Sequence, residues 1–150
     1  MSRIADVMSL RVVSVRPDES VQVAIARMLE ANVGSVAVCD GPALVGIFTE
    51  RDVLRLAGQA ARLEELKIAD VMTRTLVTVS PEDDALAAAR LMGERQIRHL
   101  PVVEGGNVLG ILGIRDVLGT LVERLWRDHD PEARETAREL LKRARQVPAG

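Results

Sequence analysis

The sequence is almost without aromatic residues: one Phe, one Trp and no Tyr in 150 positions. That removes the stacking platforms on which binders of single-stranded nucleic acid depend, and it makes any core aliphatic. Cysteine is nearly absent too. Cys39 stands alone, so an intrachain disulfide is impossible and a reducing cytoplasm is the expected setting. As a small apolar strand residue with no activating neighbour, it is not expected to be a nucleophile. Two distant histidines and one cysteine make no metal constellation. No basic block accompanies the net charge of −2, so the electrostatic footprint of a DNA or RNA binder is missing. No stretch approaches the length of a membrane span, and Met1-Ser2-Arg3-Ile4-Ala5-Asp6 holds no apolar leader core. No Walker lysine follows a glycine run, and no Ser-His-Asp or Cys-His arrangement is recognisable. An enzyme is therefore not expected.

What the chain does contain is a copy of itself. With residue 4 set against residue 68, and an offset of 64 held to Leu54 and Leu118, 19 of 51 aligned pairs are identical. Unrelated sequences of average composition would give roughly three or four. Ile4-Ala5-Asp6-Val7-Met8 returns as Ile68-Ala69-Asp70-Val71-Met72, Pro17 as Pro81, Gly41 as Gly105 and Gly46 as Gly110. This is a duplication.

Each copy reads alike. Val12–Val15 and Leu76–Val79 are predicted strands, ended by the prolines. Val21, Ala24, Ile25, Met28 and Leu29 recur at helical spacing, as do Ala85, Ala88, Ala89 and Met92 behind the helix start Ser80-Pro81-Glu82-Asp83. Gly34 is the expected end of the first helix, with Arg98 at its place in the second copy. Residues 35–48 and 100–112 are two apolar runs around turn residues, which predicts β-hairpins. A short helix carrying Val53-Leu54 or Val117-Leu118 follows. The unit is β-α-β-β-α, too small to bury both faces of its sheet alone. Two copies packed about a pseudo-twofold axis would solve that and create two equivalent clefts. The expected division is residues 1–58 for the first copy, 59–67 for a linker, 68–120 for the second copy and 121–150 for a helical extension. Residues 1–125 or so would form one integrated domain. In the extension, Leu118, Leu121, Val122 and Leu125 form one apolar stripe and Ala133, Ala137, Leu140, Leu141 and Ala144 another, separated at Asp130-Pro131.

The point of closest chemical interest is Gly46-Ile47-Phe48-Thr49-Glu50-Arg51-Asp52, repeated as Gly110-Ile111-Leu112-Gly113-Ile114-Arg115-Asp116. A buried strand runs straight into a helix start. Thr49 and Asp52, three apart, can cap that helix. Alternatively they can face a ligand where free N–H groups and the helix dipole favour an anion, with the carboxylate suited to two ribose hydroxyls.

Two such copies, with their Asp-Val-Met openings, strand-then-proline, the strand Arg98-His99-Leu100-Pro101-Val102-Val103 and a closing Gly-hydrophobic-x-Thr/Ser-x-x-Asp, resemble a pair of CBS domains, the module named after cystathionine β-synthase. The likeness covers about residues 4 to 120, and a chain made almost wholly of one such pair resembles the stand-alone bacterial members. It implies an α/β fold of the α+β type and a regulatory module that binds AMP, ADP or ATP and, second to these, S-adenosylmethionine. No cofactor would be required. It also implies a flat homodimer packed through its helices, with output through an unidentified effector protein.

Carried onto this sequence, the resemblance makes Asp52 and Asp116 ribose-binding candidates and Thr49 a phosphate contact. Arg51 and Arg115 become charge-assisted donors to phosphate. Thr75, Ile97, Arg98 and His99 would complete the Asp52 cleft from the other copy, as Arg11, Gly34 and Ser35 would the Asp116 cleft. Gly113 stands where Thr or Ser is expected, and Ala37 where Pro101 stands. Loss of that hydroxyl ranks the Asp52 cleft first, with one occupied site per chain. The competing expectation is a ligand-free dimerisation scaffold with vestigial clefts.

Overall fold

In this computed structural model, which describes residues 2–145 and side chains through residue 143, the apolar runs and turn residues set the element order. The first copy supplies α1 (Ile4–Val7), β1 (Ser14–Val15), α2 (Val21–Ala31), β2 (Ser35–Asp40), β3 (Ala43–Thr49) and α3 (Glu50–Gly58). The second supplies α4 (Ile68–Val71), α5 (Ala85–Arg95), β4 (His99–Glu104), β5 (Asn107–Gly113) and α6 (Ile114–Arg127), and α7 (Pro131–Arg145) follows. The class is mixed α+β, as the repeat predicts. Among the described residues no helix is long and apolar enough to cross a membrane.

Both hairpins form. β2 and β3 pair antiparallel from Ser35↔Thr49 to Asp40↔Ala43, with an irregularity between Val38 and Cys39. The turns need a left-handed backbone, supplied by Gly41 at φ 59° in one and by Gly105 and Gly106 at φ 59° and 82° in the other. α2 is capped by Ser20, whose Oγ accepts the Val23 N–H at 3.2 Å.

Four local expectations need correction. The helices end at Asn32 and Gln96, at φ 52° and 54°, not at Gly34 and Arg98, because asparagine already tolerates the left-handed cap. α5 starts behind Asp84; Ser80–Asp83 is instead a turn in which the Ser80 N–H donates to Asp83 at 2.8 Å. The strand expected at Leu76–Val79 shrinks to a single parallel bridge, Val79↔Val102. In the first copy the Ala37 N–H donates to the Val13 carbonyl at 2.9 Å; its counterpart Pro101 has no N–H to give. Finally, the helix carrying Val117-Leu118 is not short: α6 runs 14 residues without a break, and its predicted stripe splits, Leu121 being buried while Leu118 and Val122 are exposed. In α7, Ala133 is buried and Leu141 exposed, while the Ala144 side chain lies outside the described residues.

The chain forms two compact units that do not coincide with the two sequence copies. One holds residues 11–77 and 103–109, the other the described parts of 1–10, 78–102 and 110–150. The difference lies in the opening segments. α4, at the start of the second copy, docks on the first copy's loop: the Ile68 N–H donates to the Glu19 carbonyl and the Ala69 N–H to that of Pro17, both at 2.9 Å. α1 docks on the second copy's loop in the same register, Ile4 to Asp83 at 2.9 Å and Ala5 to Pro81 at 2.8 Å. The openings are thus exchanged.

The first unit's sheet runs β1-β2-β3, with β1 parallel to β2, and Ala43 of β3 pairs with Asn107. Its core gathers Val21, Val36, Val38, Ile68 and Phe48, all fully buried. β4 lies beside β5, and in the second unit Leu100, Val102, Leu112 and Ile4 are fully buried.

Candidate functional site

The turn from β3 into α3 is fixed by three residues. Gly46 lets the preceding strand run beneath another backbone: a Cβ there would lie 2.5 Å from Met72 Sδ and 3.1 Å from the Thr73 carbonyl oxygen. Thr49 ends β3 in an extended conformation and becomes the N-cap of α3. Asp52 then falls at the third helical position. Its Oδ2 accepts the Thr49 N–H at 2.9 Å and the Thr49 hydroxyl at 3.3 Å. Its Oδ1 lies 3.3 Å from Arg55 Nη2. The carboxylate is 6% exposed, so capping is the role the geometry displays.

The start of β2 comes to the same place. The Glu50 N–H donates to the Gly34 carbonyl at 3.0 Å, and Ser35, 4% exposed, is the register partner of Thr49. Gly34, Ser35, Thr49 and Asp52 therefore surround one turn. Arg51 is exposed beside it. Arg11 and Thr75 belong to the same unit and are exposed in the segments before β1 and after α4.

The other unit repeats the construction. The Gly113 N–H donates to Asp116 Oδ2 at 2.9 Å, and the Ile114 N–H donates to the Arg98 carbonyl at 2.9 Å. Arg98 and Arg115 are exposed; Ile97, His99 and Asp116 are half-buried. Gly113 brings no hydroxyl, and Gly119 stands where Arg55 does, so Asp116 has neither of the two side-chain partners that Asp52 has. The structure thus places Ile97, Arg98 and His99 in the unit of Asp116, and Arg11, Gly34 and Ser35 in the unit of Asp52.

Arg55 is the residue that sequence reasoning missed. Its signal was available: a basic residue three positions after a helix-start carboxylate faces it. Its guanidinium also donates to the Val71 carbonyl at 3.4 Å, tying α4 to the turn.

Asp52→Ala is therefore not neutral for folding. It removes the acceptor of the Thr49 N–H and should lower stability by about 1 kcal/mol, read from the urea midpoint. Asp52→Asn keeps a capping oxygen and should cost less.

The remaining chemistry of the described residues is quiet. No group of three His, Cys, Asp or Glu could hold a metal ion. Burial pushes the Cys39 thiol up, so it stays protonated at neutral pH. An open groove of about 440 Å³ in the first unit is lined by Ser14, Arg16, Glu19, Arg27, Cys39 and Gly41 among others. Both its cations are already paired, Arg16 with Asp18 at 3.3 Å and Arg27 with Glu19. Arg27 donates to both Glu19 oxygens, at 2.6 and 2.8 Å, and to the Ser14 carbonyl at 3.1 Å, and that pairing holds the Glu19 carboxyl below its usual range.

Comparison with known proteins places this geometry. The CBS domain family matches twice, over residues 4–58 and 68–123. The chain is similar to the CBS domain-containing protein YhcV of Bacillus subtilis, 32% identical over 117 residues, which are 78% of this chain and 84% of that one. It is 35% identical over 119 residues to the arabinose 5-phosphate isomerase KdsD of Yersinia pestis, covering 77% of this chain but only 36% of that enzyme. Among solved structures, the crystal structure of CBSX2 in complex with AMP aligns with a TM-score of 0.72 at 29% identity, over 82% of this chain and 98% of that one. The duplicated Asp-Val-Met opening, the two hairpins and the two Gly-to-Asp turns are thus those of paired modules, and this chain belongs to the CBS-domain family.

Proposed function

We propose that the chain is a non-catalytic regulatory module that binds an adenosine-containing ligand at the Thr49–Asp52 turn and acts through a partner protein. One observation carries this reading: the turn combines a buried carboxylate, a hydroxyl and a helix N-terminus, in a chain 29% identical to a protein whose structure is a complex with AMP. AMP, ADP and ATP are the candidates, then S-adenosylmethionine.

In this reading Asp52 holds the ribose and Thr49 contacts phosphate, with Arg51 beside them. A carboxylate offers about four lone-pair positions, and three on Asp52 are in use. Two ribose hydroxyls therefore need Arg55 to swing away, which its half-exposed side chain can do. The Thr49 hydroxyl bond, at 3.3 Å, is long for an O–H donor, so turning it to an anion sacrifices little. By linkage, the ligand shifts the partner only by the difference in its affinity for the module's two states.

A homodimer in the cytoplasm completes the reading. Leu29 and Leu54 in the first unit, 77% and 74% exposed, are apolar surface of the sort that association covers. The second reading, a ligand-free scaffold, is favoured by one fact: Asp52 is satisfied without any ligand.

Calorimetric titration with AMP, ADP and ATP distinguishes the two. The ligand that binds wild type should bind Asp52→Asn at least ~10-fold more weakly, since charge-assisted hydrogen bonds to ribose are lost. Equal affinity in a folded Asp52→Asn would remove the ribose role.

A further inference from the structure

α7 lies beyond the family match, which ends at residue 123, and packs on both α5 and α6. Its apolar contribution is small. Ala133 and Thr136 are fully buried, and Ala137 and Leu140 partly, against Leu86 and Leu121. Leu140 sits over Gly93, where a Cβ would meet it at 2.7 Å. The repeat shows that α5 is shaped for this helix: α2 carries Gln22 at the position of Leu86 and Leu29 at that of Gly93, where a leucine would exclude Leu140.

Polar contacts supply the rest of the grip, and most sit at one end. Arg90 donates to Thr136 Oγ1 at 3.1 Å and to Glu132 at 2.9 Å. At the far end Arg143 reaches only to 4.0 Å from Glu94. Where α6 turns into α7, Arg124 is 8% exposed and donates from Nε to Asp130 at 2.6 Å. Its Nη1 and Asp84 Oδ1, 3.7 Å apart, are both buried without a hydrogen bond. The turn between α6 and α7 places His129 at φ 47°, a conformation that favours glycine.

Such a helix is held by one leucine, two alanines, Thr136, the two Arg90 hydrogen bonds and a buried charged pin that is incompletely satisfied. Its opening would leave β4, β5 and the backbone of α5 hydrogen-bonded, a partial unfolding rather than a global one. We propose that α7 is a releasable latch pinned by Arg124, and that the α5 face it vacates, Leu86 and Gly93 rimmed by Arg90 and Glu94, accepts α7 from a second copy of the chain. That helix is the occupant because its residues already match the face: alanine and threonine for the close approach, Leu140 for Gly93, and Glu132 for Arg90. Exchange of an identical element is a low-cost route to association.

Two measurements on the full chain test this. In native-state hydrogen exchange, amides of 135–145 should exchange at least ~10-fold faster than those of β4, and Arg124→Gln should speed them a further ~10-fold with β4 unchanged. Exchange of α7 in step with β4 overturns the latch. For the acceptor face, Gly93→Cys and Leu140→Cys chains, each also Cys39→Ser, are mixed under mild oxidation. A disulfide joining the two different chains, enhanced when both carry Arg124→Gln, is expected. Its absence while α7 of the same chains exchanges freely overturns the transfer between copies.

Discussion

Phe48→Ala lowers the stability of the protein by about 3–5 kcal/mol, the usual cost of emptying a buried aromatic site. Phe48 is fully buried in β3, opposite Val36 and within a cluster that includes Ile68 from the exchanged opening. With no Tyr and no second Phe in the chain, the cluster around it is made of aliphatic and thioether side chains such as Met28, Leu56, Ile68 and Met72, and none of its members offers a ring to fill the space. Trp126→Ala provides the contrast. Trp126 is 79% exposed, and its loss should change stability by no more than about 0.5 kcal/mol. Urea unfolding of the two variants decides the matter; similar losses would mean that the core is not where the burial places it.

Gly110→Ala has the second largest effect, and it exceeds that of the repeat-equivalent Gly46→Ala. At Gly110 the added Cβ would lie 2.5 Å from the Ser9 carbonyl oxygen, whereas at Gly46 the nearest atom is Met72 Sδ at 2.5 Å. A thioether can turn aside; a carbonyl moves only with its chain. The Ser9 carbonyl also accepts the Ile111 N–H at 3.4 Å, so displacing it weakens the docking of the opening segment. Overpacking of this kind costs about 1–3 kcal/mol, with Gly110→Ala at the upper end and Gly46→Ala at the lower. Gly119→Ala is the control. Among the described residues nothing lies within 4 Å of a Cβ there, and alanine inside a helix should stabilise by about 1 kcal/mol. An inverted order at Gly46 and Gly110 would contradict the exchanged openings directly.

Those openings show what sequence reasoning could and could not reach. Ile-Ala-Asp-Val-Met is identical in both copies, so either opening would fit either loop, and only tertiary contacts reveal that each docks on the other copy. The hairpins were legible because their glycines serve a left-handed turn and their apolar runs have strand length. The Gly46-to-Asp52 turn was legible too, although its two meanings, cap and ligand site, share the same residues. The geometry displays the cap, with Arg55 as a further partner. Pro101 could have warned of the shortened strand at Leu76–Val79, since it removes a donor, but only once its register against Val77 was known. The grip of α7 was out of reach: Arg124 reads as one more surface arginine until the turn from α6 into α7 buries it.

The central claim is that the Thr49–Asp52 turn is a nucleotide site and not only a helix cap. Thermal unfolding of the full chain with AMP, ADP, ATP, S-adenosylmethionine or no ligand tests it most directly. A ligand that binds only the folded state adds about 2.7 kcal/mol at ~100-fold saturation. The account predicts a rise with an adenine ligand that falls by at least about half in Asp52→Asn, as ~10-fold weaker binding requires. No rise with any of the four at millimolar concentration would contradict it and leave the scaffold.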